Sequence, residues 1–309
     1  MKLIDQPLIL ISQIQRSGGS MLAQLFDGHP EVFAHPFEMH IGHPNKWDWQ
    51  DFDTSADPES WFSSLFEEKV MKFISEGYCK PGANQFAAQE KFPFDFDPFK
   101  QKELFLELVS KFSNISQREI YNCYFTSFFA AWTNYRPTGK EKFVSGFTPR
   151  VNMTPESSAK FFRDYADGRL ISSIRDPYSW YTSAIKHNKN HQNIDFALEE
   201  WSQSVKETLH LKEAYPDQVI ILKFEKLTTD PENTMRQVAE FVGISYDDKL
   251  VVPSYLGHPV RPNSSYNVEK YGINKDMARR GEELPQEIRD YIKQNVGDLF
   301  QLSDQFVTG

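Results

Sequence analysis

An α/β protein organised on a doubly wound parallel sheet is what this sequence predicts, on three observations. Residues 8–22, LILISQIQRSGGSML, run from a near-continuous apolar stretch through a glycine-containing loop into helically spaced apolar positions, as a strand covered on both faces and its following helix would. The stretches 168–174 (GRLISSI) and 219–222 (VIIL) repeat the buried-strand pattern, each with a helical pattern after it. Strands alternating with helices belong to parallel sheets, whose ligands bind at the carboxyl ends of the strands.

In the first junction Leu8, Ile9, Leu10, Ile11 and Ile14 form the strand, and Met21, Leu22, Leu25 and Phe26 resume at helical spacing. Between them stand Arg16, Ser17, Gly18, Gly19 and Ser20. Two glycines admit close backbone approach, an arginine adds a permanent positive charge and two serines add hydroxyl donors, a set that suits a phosphate or sulfate. The loop is neither G-x-x-x-x-G-K-[ST] nor G-x-G-x-x-G. An ordinary two-glycine strand-to-helix turn is the plain alternative.

Gly28 and Pro30 stop the first helix, and Val32-Phe33-Ala34 makes a short second strand leading into His35-Pro36-Phe37-Glu38-Met39-His40. From 45 to about 140 the chain turns acidic, aromatic and helical. Asp57-Pro58 and Asp97-Pro98 each place a capping residue before a first-turn proline, and Ser116-x-x-Glu119 is a capping-box pattern. Trp61, Phe62, Leu65, Phe66, Phe73 and Ile74 recur at helical spacing, with Gly77 placed to end that helix. Too few strands lie here to continue the sheet, so the segment reads as an inserted, aromatic-rich helical layer or lid within one domain spanning residues 1–309.

The α/β rhythm returns with a strand at Phe143–Phe147, a helix from Thr154-Pro155 to about Tyr165, and the strand 168–174. Arg175-Asp176-Pro177 then opens a helix through Ile185, and a long helix runs between Asp195 and Ala214. After strand 219–222, Asp230-Pro231 opens a helix that Gly243 closes. Arg16 and Arg175 both fall just past a strand's carboxyl end, so one ligand could meet both.

Composition narrows the partners. The net charge of −9 over 309 residues, without a basic run, argues against nucleic acid. Cys79 and Cys123 are the only cysteines and show no metal-ligand spacing, so neither a disulfide framework nor a zinc site is expected. No signal peptide or membrane-length apolar run is visible, which predicts a cytoplasmic protein.

The second anchor is IRDPYSWYTS, residues 174–183, with an arginine at a strand end and Ser183 eight residues after it. Together the two segments resemble the sulfotransferases that use 3′-phosphoadenosine 5′-phosphosulfate (PAPS), in particular their bacterial and Golgi-type branch with a P-loop-like fold. In that family a Lys/Arg-Ser-Gly-x-Thr/Ser loop cradles the 5′-phosphosulfate, and Arg-[Asp/Asn]-Pro with a serine eight residues after the arginine holds the 3′-phosphate. Arg16 to Ser20 match the first, with Met21 following, and Arg175-Asp176-Pro177 with Ser183 match the second, in the family's order. LFDGHPEV at 25–32 is similar to the family's leucine-aspartate-x-His-Pro turn, and Phe224-Glu225-Lys226-Leu227, Asp230-Pro231 and Phe241-Val242-Gly243 resemble its late segment. Arg261-Pro262-Asn263-Ser264-Ser265-Tyr266 resembles the polar loop such relatives close over the nucleotide, which implies nucleotide contacts from Arg261, Ser264 and Ser265.

Departures from the family pattern are equally legible. Gly19 stands where threonine is usual, Met21 where some relatives carry tryptophan, and Phe147 where many have a lysine before Thr-Pro. Arg150 and Lys142 are the cations that could take that lysine's place. The cytosolic branch's C-terminal Lys-Gly-x-x-Gly signature is missing, and Arg279-Arg280 reads as a solvated helix-end pair.

What the resemblance implies is transfer of a sulfuryl group from PAPS to a hydroxyl or amine of a small molecule or sugar. Such transfer needs charge stabilised on the departing 5′-phosphate, a base for the acceptor proton, and alignment. Arg16 and the loop's N–H groups meet the first need without calling for a metal. Glu38 is the leading base, where relatives place a glutamate, and His40 and His35 are the runners-up, with a histidine-rich surface turn as the plain reading of both. Asp176 reads as the cap of its helix and Glu225 as structural. The rival readings are a P-loop-like kinase, weakened by the absent Walker lysine, and a non-catalytic nucleotide-binding relative.

Overall fold

A computed structural model describes residues 2–39, 41, 47–66, 94–262 and 268–307, together with the backbone of 79–80 and 83–84. Its frame is a parallel sheet of β1 (Leu8–Ile11), β2 (Val32–Glu38), β5 (Phe143–Phe147), β6 (Arg169–Ile174) and β7 (Val219–Lys223), in the order β2-β5-β1-β6-β7. The short pairs β3 (Cys79–Lys80) with β4 (Ala83–Asn84) and β8 (Ser254–Tyr255) with β9 (His258–Pro259) lie apart from it. Central β1 hydrogen-bonds to β5 on one side and β6 on the other, which makes its carboxyl end the point where the winding reverses.

Ten α-helices are described: α1 (Gly19–Leu25), α2 (Pro58–Leu65), α3 (Pro98–Val109), α4 (Gln117–Ala131), α5 (Pro155–Asp164), α6 (Pro177–His187), α7 (Ile194–Ala214), α8 (Phe224–Thr229), α9 (Pro231–Val242) and α10 (Gln286–Ser303). The sheet's alternation sorts them into layers. Leu8 and Leu10, with Val219 and Ile221, face a cluster shared with α2 to α7 and α10, while Ile9, Ile11, Ile220 and Leu222 face one shared with α1 and α9. The doubly wound fold expected from the sequence is therefore present, and the described aromatic helices form a layer on the first face. Buried α4, which carries Tyr121, Tyr124, Phe125 and Phe128 inward, is the middle of that layer.

The expected helix starts are built as read. Asp57 and Asp97 accept from the backbone N–H groups of the first turns of α2 and α3, and Ser116 and Glu119 close a reciprocal capping box on α4. Gly243 ends α9 at φ 88°, where a side chain would be strained. The expected continuation through Phe73, Ile74 and Gly77 lies outside the described residues.

β2 is longer than the three residues expected. Its pairing with β5 runs Val32 to Phe143, Phe33 to Val144 and Ala34 to Ser145, then resumes at Glu38 to Phe147 after a register shift. The slack holds His35 and Pro36. Proline has no N–H for the ladder, and an edge strand with a bulge is where it is tolerated. The bulge delivers Glu38 to the carboxyl end of the sheet beside Phe147.

Candidate functional site

The loop after β1 is held from behind. Three consecutive carbonyls of it accept from β6, α6 and the Arg175 between them: Trp180 Nε1 donates to Gln15 O at 2.9 Å, Arg175 Nη1 to Arg16 O at 2.8 Å, and Ser173 Oγ to Ser17 O. With its acceptors turned toward β6 and α6, the loop is fixed against a rigid element before any ligand arrives. Arg16 takes φ 71° and Gly18 φ 91°. A Cβ on Gly18 would also stand 2.7 Å from the Phe224 ring, so glycine is required there twice over.

In front of the loop opens a cleft of about 830 Å³, counting its mouth. Arg16, Gly18, Gly19, Ser20, Met21, Glu38 and Arg175 all line it, so one wall carries most of the residues singled out by the two motifs. Ser17 and Ser183 sit buried just behind, and Ser17 Oγ has no hydrogen-bond partner. Ser183 Oγ accepts from Arg175 Nη1 at 3.1 Å, pairing the arginine and serine as the second motif suggested.

Arg175 is almost fully buried. Its Nη2 donates to Met277 O at 2.6 Å, its guanidinium lies 4.4 Å from the Phe224 ring centroid, and its Nε is unpartnered. Burial lowers its pKa to about 10, so it stays charged near neutrality while held by carbonyls and a hydroxyl. A buried guanidinium without a carboxylate directly bonded to it favours an incoming anion. Asp176 Oδ1 caps α6 by accepting from Tyr178 N and Ser179 N. Glu225 Oε1 accepts from Asp176 N at 3.1 Å, and burial, reinforced by Asp176, pushes the Glu225 carboxyl up to about 7.

Two sequence readings are corrected here. Arg280 is not a solvated helix-end residue: it is 7% exposed and lines the cleft. The segment that carries it forms 3₁₀ turns clasped onto α6, with Gly281 N donating to Ser179 Oγ at 3.0 Å and Ser179 Oγ to Ala278 O at 3.2 Å. A Cβ on Gly281 would lie 2.4 Å from Tyr178 Cβ. His35 is likewise no surface histidine, because it is buried with its ring 4.4 Å from Phe128.

The two cations proposed for the missing lysine are engaged elsewhere. Lys142 pairs with Glu31 at 2.6 Å, beside the start of β5, at the end of the strand away from the cleft. Arg150 forks onto Glu200 at 2.7 and 3.1 Å and donates to Gln15 Oε1 at 2.6 Å. Glu38 accepts a long contact from Trp47 Nε1 at 3.4 Å, and Arg150 lies 5.4 Å from the Trp47 ring. Arg261 stands over Tyr271 at 5.3 Å, next to cleft-lining Pro262. His40, Ser264 and Ser265 lie outside the described residues. Among the described residues no group of acidic, histidine or cysteine side chains forms a metal cluster, and no helix is long and apolar enough to cross a membrane.

A glycine-containing loop at the switch point of a doubly wound sheet, with its own Arg16 lining one cleft together with Arg175 and Arg280, belongs to an α/β protein of the P-loop-like class. Comparison with known proteins gives the family. Residues 7–248 match the sulfotransferase family, and the chain belongs to it. The fold agrees with two solved structures: the sulfotransferase domain of the Synechococcus PCC 7002 olefin synthase (TM-score 0.61, 17% identity, 100% of this chain and 99% of that one) and that of the curacin biosynthetic pathway (TM-score 0.57, 15% identity, 95% and 97%). No curated protein matches the sequence.

Proposed function

We propose that the protein transfers a sulfuryl group from PAPS to a hydroxyl, or an amine, of a small-molecule or carbohydrate acceptor. The observation that carries this reading is the convergence of Arg16, Arg175 and Arg280 on one cleft whose loop carbonyls are already tied back. The residues fit a nucleotide with phosphate at both ends, since the buried Ser17 Oγ and Arg175 Nε lack hydrogen-bond partners among the described residues.

When bound, PAPS supplies the activated sulfuryl group. Arg16, with Ser17, Gly18, Gly19, Ser20 and Met21 around it, would hold the 5′ end and neutralise the charge that gathers on the 5′-phosphate as its bond to sulfur breaks. Arg175, Ser183 and Arg280 would hold the 3′-phosphate, and Arg261, Ser264 and Ser265 would close over the nucleotide. Glu38, with His40 as the alternative, would take the acceptor proton as the new bond to sulfur forms. The single domain would draw its acceptor pocket from the insert at 45–140, and a cytoplasmic site accords with Cys123, a buried free thiol. Domains from the curacin pathway and an olefin synthase share the fold, and the acceptor screen covers hydroxyls and amines alike.

The test is release of adenosine 3′,5′-bisphosphate from PAPS. Acceptor-dependent release that falls at least 100-fold in Glu38→Ala, with nucleotide binding retained, supports the assignment. Release of equal rate in Glu38→Ala removes Glu38 from the chemistry.

A further inference from the structure

Gln13, two residues past β1, carried no signal in the sequence, yet its side chain is packed into the wall of the cleft. Its backbone is fixed on one side, with Arg150 N donating to Gln13 O at 3.1 Å, and its neighbour Ser12 N donates to Ile171 O at 3.0 Å. The side chain is 1% exposed, lines the cleft, and leaves Oε1 without a hydrogen-bond partner among the described residues. Oε1 is an acceptor and cannot meet a phosphate or sulfate oxygen, so the end of the carboxamide that suits an anion is Nε2.

The same side chain explains two departures from the family pattern at once. A Cβ on Gly19 would lie 1.8 Å from Gln13 Nε2 and 2.3 Å from the Phe147 ring. Gly19 has no side chain because the carboxamide and the ring fill that volume. Where the resemblance expects a threonine hydroxyl and a lysine, this chain has a glycine, a phenylalanine and one polar group between them.

We infer that the Gln13 carboxamide is a direct hydrogen-bond donor to the 5′-phosphate end of the donor nucleotide, replacing the residue-19 hydroxyl. This rests on the PAPS reading above and adds a contact to it. The amide N–H groups suit a phosphate or sulfate oxygen, and Nε2 stands where a residue-19 side chain would begin, beside the Phe147 ring. As a neutral donor it contributes orientation, leaving charge neutralisation to Arg16.

Calorimetric titration with adenosine 3′,5′-bisphosphate and with adenosine 3′-monophosphate tests the contact, on wild type and on Gln13→Met, which keeps the volume and removes the donor. The inference expects Gln13→Met to bind the bisphosphate about 10-fold or more weakly, with the 3′-monophosphate unchanged and the melting temperature preserved. Gln13→Ala, which also opens space, should show the same loss. Undiminished bisphosphate binding in Gln13→Met, alongside a wild type that prefers the bisphosphate, overturns the contact and leaves the PAPS reading standing. A wild type that binds neither nucleotide overturns both.

Discussion

The donor side of the cleft and the aromatic layer beneath it are held together by different physics. Around the β1–α1 loop, position is set by directed hydrogen bonds: carbonyls 15, 16 and 17 each answer to one donor from α6, from Arg175 just past β6, or from β6 itself. In the layer, position is set by ring packing. Trp49 stacks on Tyr121 at 4.5 Å, and Phe128 is surrounded by His35, Phe94, Phe96, Tyr124, Phe129 and Trp132. Non-directional burial supplies stability and tolerates repacking, whereas the hydrogen-bonded loop fixes geometry to the precision that group transfer needs. The division implies that damage to the layer appears in folding and damage to the loop in binding.

The largest effect should come from the layer. Phe128→Ala leaves a cavity among six rings and should cost about 3–5 kcal/mol of stability, read by urea denaturation, while the folded fraction keeps its nucleotide affinity. Gly281→Ala tests the opposite side. Its methyl would meet Tyr178 Cβ at 2.4 Å and Ser179 N at 2.9 Å, so the segment carrying Arg280 must shift. A stability loss of about 1–3 kcal/mol should come with a loss of nucleotide binding that Phe128→Ala does not share.

Glu225 sharpens the contrast through pH. A carboxyl whose pKa rises on folding, here from 4.5 to about 7, binds more proton folded than unfolded between those values. Its contribution to stability therefore weakens as pH rises through that window. Glu225→Gln should gain stability over wild type at pH 8 and lose that advantage at pH 5, in denaturation at both values. The smallest effect should be Ser116→Ala, which removes one partner of the α4 capping box and should cost about 1 kcal/mol with no change in binding.

Much of this was legible in order along the chain. β5 was read at its observed bounds because FVSGF is a short apolar run between polar flanks, and Asp57, Asp97 and Ser116 declared their helices by local chemistry. Arg16 and Arg175 were readable because Arg175 follows β6 directly and Arg16 stands in the loop after β1, so topology brings them to one end of the sheet. β2 was underestimated because Pro36 breaks the ladder locally while the sheet carries the strand on past a bulge. Gln13 and Arg280 were missed for a different reason. Their roles come from contacts across the fold, with Gly19 and Phe147 for one and with α6 for the other, and an isolated glutamine or a late arginine has no local pattern to announce it. The last helix, α10, went unread in the sequence although Ile292 and Val296 pack into the main core.

The central claim is that the cleft recognises a nucleotide by phosphates at both ends. Calorimetric titration of adenosine 3′,5′-bisphosphate and adenosine 5′-monophosphate into wild type and Arg175→Ala addresses it most directly. The account predicts that wild type binds the bisphosphate about 100-fold more tightly or better, as expected for charge-assisted bonds to a phosphate, and that Arg175→Ala erases the difference. Equal binding of the two nucleotides, indifferent to Arg175, would contradict it.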